Sequence, residues 1–188
     1  GRLRRQAVRD LMRQVRDAGF EAGIHCYDHV YWQDNVARQD ADWTARELRR
    51  ACDRFEQVFG QPARTHGAAG WQMNRHALRL EQQLGFAYCS DTRGSEPFVP
   101  VYRAEIINCP QLPTTLPTLD ELIGVNGISV ENVAQHLLAL TETALPTGHV
   151  YTLHAEMEGM KLAGVFEQLL EGWRAQGYEL VSMAQYFA

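Results

Sequence analysis

Lysine is almost missing from this 188-residue chain: of 18 basic residues only Lys161 is lysine, a bias read here as a property of the coding genome with no chemistry attached. Disulfide and zinc-knuckle signals are missing too. The four cysteines, Cys26, Cys52, Cys89 and Cys109, lie far apart with no C-x-x-C, which argues against a structural zinc site and fits a reducing compartment. No apolar run approaches the roughly 18 residues that a transmembrane helix needs, and no signal-peptide pattern is present. Any membrane contact is therefore expected to be peripheral, and the cytosol is the expected compartment. Positive charge is not in excess either: a net charge of -5 leaves no electrostatic footprint for nucleic acid. The chain begins at Gly1 in a stretch that is already helical in character, so it is expected to lack its beginning.

What is present is a regular alternation. The length suits one domain over 1–188 with a substantial core. Within 2–17, Leu3, Ala7, Val8, Leu11, Met12 and Val15 form one helical stripe, while Arg5, Arg9, Arg13 and Arg16 line another face, read as solvated or as facing anionic lipid. Strands are expected at 21–25, 63–66, 86–90, 106–109, 149–153 and 178–181. Helices are expected from a Thr44–Glu47 capping box to Phe59, from Asn74 to Gly85, from Ser129 to about Ala144, and over 162–175. Pro97, Pro100, Pro110, Pro113 and Pro117 forbid a long helix between 92 and 117. Strands alternating with helices imply an α/β fold with a parallel sheet, open or closed into a barrel. His25, the segment 67–71, Asp91 and His154 all fall at or just after the C-terminal end of an expected strand, the rim on which barrel active sites are assembled.

The stretch "GIHCYDHVYW" at 23–32 contains His25-x-x-x-His29. Seven histidines in 188 positions would give roughly 0.25 such pairs by chance, so the spacing alone is a weak metal signal. Its place after a strand, and His154 on the same expected rim, strengthen it. Two imidazoles are only part of what a catalytic divalent ion takes, and a carboxylate is the usual third ligand. Asp28, Asp34, Asp91 and Glu156 are the candidates, Asp28 being better suited to a local hydrogen bond or to the substrate. His66, His76, His136 and His149 have no comparable context. Cys26 reads as a buried small residue, without a cysteine-protease signature, and no serine sits in G-x-S-x-G. Gly67-Ala-Ala-Gly70 matches no phosphate loop, but its small residues allow close approach of a substrate.

With those residues in hand, the chain resembles the NodB-type polysaccharide deacetylases. The matching stretches, "GIHCYDHVYWQ", "AAGW", "SDTRG", "PFVP", "LPTLDELIG" and "YTLHAEMEG", run in the family's order over nearly the whole chain. The resemblance implies a distorted (β/α) barrel without its N-terminal strand or strands, the chain forming the C-terminal two-thirds of a single catalytic domain. It implies a divalent metal ion (zinc, cobalt, nickel or manganese) on His25 and His29, with an aspartate ligand and general base upstream of Gly1. It further implies His154 as general acid, oriented with the help of Asp91. Asp28, Gly70, Trp71, Arg93 and Glu156 are expected to bind substrate, Trp71 by stacking on a sugar and Arg93 by meeting a phosphate.

Within the family the stretches are most similar to the branch that removes formate from polyprenyl-phosphate-linked formamido-arabinose, in the amino-sugar modification of lipid A that blunts cationic peptides. That substrate would bring the enzyme to the cytoplasmic face of the inner membrane. The alternatives are an N-deacetylase of chitooligosaccharide or peptidoglycan, and a catalytically silent fragment.

Overall fold

A computed structural model describes residues 2–188, with side chains from Gln6 onward. The chain divides into two compact units, one made of residues 1–92, 97–112 and 182–188, the other of 93–96 and 113–181.

In the first unit, α1 (Arg2–Asp17) precedes α2 (His29–Asn35) and α3 (Ala41–Phe59). α3 starts a turn earlier than its sequence cap suggested. Asp40, not Thr44, is the N-cap and accepts the Trp43 N–H, while Thr44 is buried with its hydroxyl on the Asp40 carbonyl. Gly60, left-handed at φ 71°, ends the helix. Strand β1 (Thr65–His66), helix α4 (Ala77–Leu84) and strand β2 (Tyr88–Cys89) follow. β1 and β2 pair in parallel, and single parallel bridges extend the series in chain order, from Ile24 onto His66 and from Cys89 onto Gln111. The expected strand at 21–25 thus shrinks to one residue. Gly23 is required there, because a Cβ would sit 2.4 Å from the Thr65 hydroxyl oxygen. A hairpin, β3 (Val101–Tyr102) with β4 (Glu105–Ile106), and the short α8 (Met183–Phe187) complete the unit.

Its core packs Ile24, Trp32, Val36, Trp43, Leu48 and Phe55 with further aliphatic side chains. α1 departs from the expected polarity. Arg13 and Arg16 donate to the Val58 and Phe59 carbonyls, the unsatisfied C-terminal end of α3, where the helix dipole favours cations. Val8, Leu11, Met12 and Val15 are exposed instead. Leu3 and Arg5 of the expected faces lie outside the described side chains.

The second unit holds α5 (Leu119–Leu122), α6 (Val133–Leu140), a π-helical turn (Met157–Lys161) and α7 (Ala163–Ala175) around Leu116, Leu119, Leu137, Leu169 and Trp173. α5 opens with a full capping box, Thr118 with Glu121. Thr115 and Leu116 donate backbone N–H bonds to the Val150 carbonyl, and Arg93 bridges Thr114 in parallel. The strand expected at 178–181 does not form. Tyr178 folds back instead, its N–H on the Trp173 carbonyl and its hydroxyl on the Thr141 carbonyl.

Candidate functional site

The histidine pair is built by one sharp turn. Ile24 is docked on β1 by bonds from its N–H to Thr65 and from Gly67 N–H to its carbonyl, each 3.0 Å. Cys26 then adopts φ 57°, a left-handed conformation that turns the chain into α2. Asp28 caps that helix, its Oδ1 accepting the Tyr31 N–H at 3.0 Å, and His29 is its first residue. The two exposed imidazoles therefore meet edge to face, their centroids 5.0 Å apart.

His25 Nδ1 lies 2.6 Å from the Gly67 carbonyl oxygen. A carbonyl only accepts, so Nδ1 carries the hydrogen and Nε2 presents the lone pair. This outer hydrogen bond is the usual way a metal-ligating histidine is oriented. The donor set thus fits a divalent ion in two of its ligands. Asp28 spends Oδ1 on the helix cap, and Asp91 is buried elsewhere in this unit.

That second place is a cluster with no exposed member. His66 ends β1, Glu81 comes from α4, Asp91 follows β2, and all three are sealed from solvent. His66 Nδ1 stands 2.9 Å from Glu81 Oε1 and 3.0 Å from Asp91 Oδ1. Gln111 Nε2 donates to Asp91 Oδ2 at 2.9 Å, and Asp91 N–H donates to Gln111 Oε1 at 3.1 Å. On the far side of the ring, His66 Nε2 faces Cys26 Sγ at 3.5 Å, and the same thiol accepts the Ala69 N–H.

Burial and the neighbouring Asp91 charge push Glu81 up to about 8, although His66 pulls the other way. Burial alone would lower His66. The Asp91 charge and hydrogen bond, with help from Cys26 and Glu81, hold it well above the ordinary histidine value. Burial likewise raises the Cys89 thiol, which has the Cys109 sulfur 3.6 Å away.

In the second unit His154 Nδ1 is 3.3 Å from Asp120 Oδ1, both groups partly exposed. The backbone beneath it is held from inside. The buried Glu158 accepts the His154 N–H on one oxygen and the Tyr151 hydroxyl on the other. Burial and the Glu158 carboxylate raise the Tyr151 hydroxyl in turn. Arg93 reaches the Leu116 carbonyl and pairs with Glu121 at 2.6 Å. Glu156 is exposed at the mouth of the π-helical turn.

The structure therefore brings together His25, Asp28 and His29 in one place and His154 with Asp120 in another. Asp91 is buried on His66, and the carboxylate beside His154 is Asp120. Gly70 and Trp71 take φ values of 59° and 54° in a short 3-10 turn, and a Cβ on Gly70 would fall 2.8 Å from the Gln33 side chain. Sequence reasoning missed His66, Glu81, Gln111, Asp120 and Glu158. Two had a signal: Asp120 lies inside "LPTLDELIG", and His66 directly precedes "GAAGW". A basic cleft of about 420 Å³ between α3, α4 and the hairpin, with Arg49, Arg75, Arg79 and Arg103 in its wall, contains none of the expected site residues.

Residues 2–89 match the family described as polysaccharide deacetylase. The chain is 36% identical over 93% of its length to a protein of Shewanella sediminis named as a probable 4-deoxy-4-formamido-L-arabinose-phosphoundecaprenol deformylase, of which it covers 55%. It is 32% identical over 80% of its length to a protein of the same name from Wigglesworthia glossinidia brevipalpis, of which it covers 52%. The chain thus spans about half the length of the curated relatives it matches. The crystal structure of a probable polysaccharide deacetylase from Pseudomonas aeruginosa superposes with a TM-score of 0.74 over 97% of this chain and 63% of that one, at 18% identity, a likeness of fold alone.

Proposed function

We propose that this chain belongs to the polysaccharide deacetylase family, with that family's α/β fold, and supplies part of a metal-dependent deformylase acting on 4-deoxy-4-formamido-L-arabinose carried on undecaprenyl phosphate. The observation that carries the reading is the 36% identity across 93% of the chain to a protein named for that reaction, which spans the His25–His29 turn and the His154 segment alike.

His25 and His29 would hold the ion through imidazole nitrogens, His25 through Nε2 because Nδ1 is spent on Gly67. Bound there, a divalent ion supplies Lewis acidity toward the formyl carbonyl and the attacking water. Water adds to the formyl carbon, the C–N bond breaks, and formate leaves a free 4-amino group on the sugar. An amine leaves well only when protonated, and His154 gives that proton from Nε2 while Asp120 holds Nδ1. Asp91 acts at one remove, through His66. Trp71 and Gly70 line the turn beside Gln33, where a sugar ring approaches backbone closely, and Asp28 and Glu156 complete the polar contacts. Arg93 meets the phosphate only by sharing its guanidinium with Glu121.

The lipid-linked substrate calls for contact with the inner membrane at its cytoplasmic face. No helix among the described residues is long and apolar enough to cross a membrane. α1, with an exposed apolar stripe beside a row of arginines, has the composition of an interfacial helix.

The test compares formate release from the formamido-arabinose lipid with acetate release from N-acetylated chitooligosaccharide and peptidoglycan, with and without chelator. Chelator-sensitive formate release supports the deformylase, whereas acetate without formate moves the protein to the deacetylases of the same family.

A further inference from the structure

We propose that His66, Glu81 and Asp91 form a second, buried site for one divalent metal ion, separate from the His25–His29 pair. A ring nitrogen carries at most one hydrogen, yet His66 Nδ1 is approached by oxygens of two different carboxylates, at 2.9 and 3.0 Å. One hydrogen serves both only as a bent, three-centre bond. Glu81 Oε1 takes the well-aligned share of it, and Asp91 Oδ1, fully buried, has no well-aligned hydrogen bond. A cation in place of that hydrogen satisfies all three atoms at once.

The spacing suits an ion. Ligand atoms in adjacent positions of an octahedral ion bound at about 2.1 Å stand roughly 3.0 Å apart. The Cys89 sulfur completes a set of four ligand atoms that all lie within 4.8 Å of one another. One imidazole, two carboxylates and a thiol are donors that first-row divalent ions accept.

The surroundings are those of a ligated cluster. The outer carboxylate oxygens turn to Gln111, whose amide donates to Asp91 Oδ2 at 2.9 Å and lies 3.5 Å from Glu81 Oε2. Gln111 is itself fixed by the Asp91 N–H. The other ring nitrogen of His66 is occupied by Cys26 Sγ. Hydrogen-bonded outer oxygens and a tethered distal ring nitrogen are what hold metal ligands in orientation. Closed on all sides, the site is structural: it ties the ends of β1 and β2 to α4 and to the 109–112 segment.

The experiment uses the chain with His25→Ala and His29→Ala, so that the exposed pair no longer contributes. Zn²⁺ and Mn²⁺ are titrated against a chromophoric chelator, and the metal retained after dialysis is measured by mass spectrometry. The double variant is expected to keep one equivalent of one of these ions, and adding Asp91→Asn or His66→Gln should weaken binding at least a hundredfold. Chelator should also lower the Tm of the double variant, a readout that needs no further substitution and decides the matter if the added changes unfold the chain. A double variant that retains no ion and melts at the same temperature with and without chelator overturns the proposal, and means that Glu81 holds the cluster together with a proton. Metal binding by the parent chain that vanishes in the double variant would overturn it too, while leaving the His25–His29 site intact.

Discussion

His25 precedes Cys26 in the chain and His66 meets its sulfur, yet the two histidines have opposite fates. His25 is exposed, and its Nδ1 is tethered to the Gly67 carbonyl. His66 is sealed, and the polar partners of its ring are side chains drawn from elsewhere in the chain: Cys26, Glu81 and Asp91. An exposed histidine with a carbonyl tether is cheap to keep and free to act on something outside. A buried one among carboxylates carries large opposing energies, desolvation against charge, and its loss is felt by the whole fold.

The same contrast explains what could be read from residues alone. The His25–His29 turn is local, four positions in one stretch, so spacing and context exposed it. His66, Glu81, Asp91 and Gln111 span 46 positions (111 − 66 + 1) and become neighbours only once β1, α4 and β2 are side by side. No periodicity marks such a set. Helices over 41–59 and 163–175 were legible because they combine an apolar stripe with caps. The strands expected at 63–66 and 86–90 were legible in place but not in extent, since parallel pairing here rests on one or two residues at a time, while those expected at 149–153 and 178–181 do not form. The orientation of α1 was hidden because its arginines answer to carbonyls at the end of α3, a tertiary demand. Asp120 was visible in a motif, but its partnership with His154 depends on where the 150–154 segment runs.

Replacement of the buried member should do the most damage. His66→Leu removes the group that offsets the buried Asp91 charge and bonds Glu81, and a loss of about 3–5 kcal/mol is expected in urea denaturation, the usual cost of breaking a buried charge cluster. A loss below about 1 kcal/mol would show that the cluster is not held by charge.

Smaller, and of unusual sign, is the pH response of the chelator-treated protein. Glu81 and His66 both sit above their ordinary values in the folded chain. A group raised on folding stabilises fully below its unfolded pKa and withdraws that support as pH climbs through the folded one. Stability should therefore decline between about pH 4.5 and 8 as Glu81 ionises, and further above pH 6.5 as His66 loses its proton. Denaturation midpoints measured across this range, with Glu81→Gln removing the first component, check the direction. A midpoint that rises over the same range contradicts it.

Cys26 joins the two histidines and should respond in two separable parts. Its left-handed φ costs about 1 kcal/mol for any residue with a Cβ, while its sulfur accepts the Ala69 N–H beside His66. Cys26→Ala keeps the strain and loses the acceptor, for an expected loss of about 1–2 kcal/mol. Cys26→Gly loses the acceptor but relaxes the backbone, so it should be less damaging than alanine by about 1 kcal/mol. Equal losses for the two would mean that the backbone at Cys26 is not strained.

The exposed pair should scarcely register in stability at all. His25→Ala gives up the exposed tether to the Gly67 carbonyl, and His29→Ala removes an exposed side chain from the first position of a helix whose cap, Asp28, is untouched. Each should fall within about 0.5 kcal/mol of the parent in urea, the range of ordinary surface substitutions. Divalent-ion binding at the pair should nonetheless drop by at least tenfold in either variant, because one imidazole of two is gone. That separation is the sharpest form of the contrast with His66: a residue kept for what it binds costs the fold nothing when removed. A substantial destabilisation by His25→Ala would instead assign the turn at Cys26 a structural duty, and weaken the reading of the pair as ligands presented to solvent.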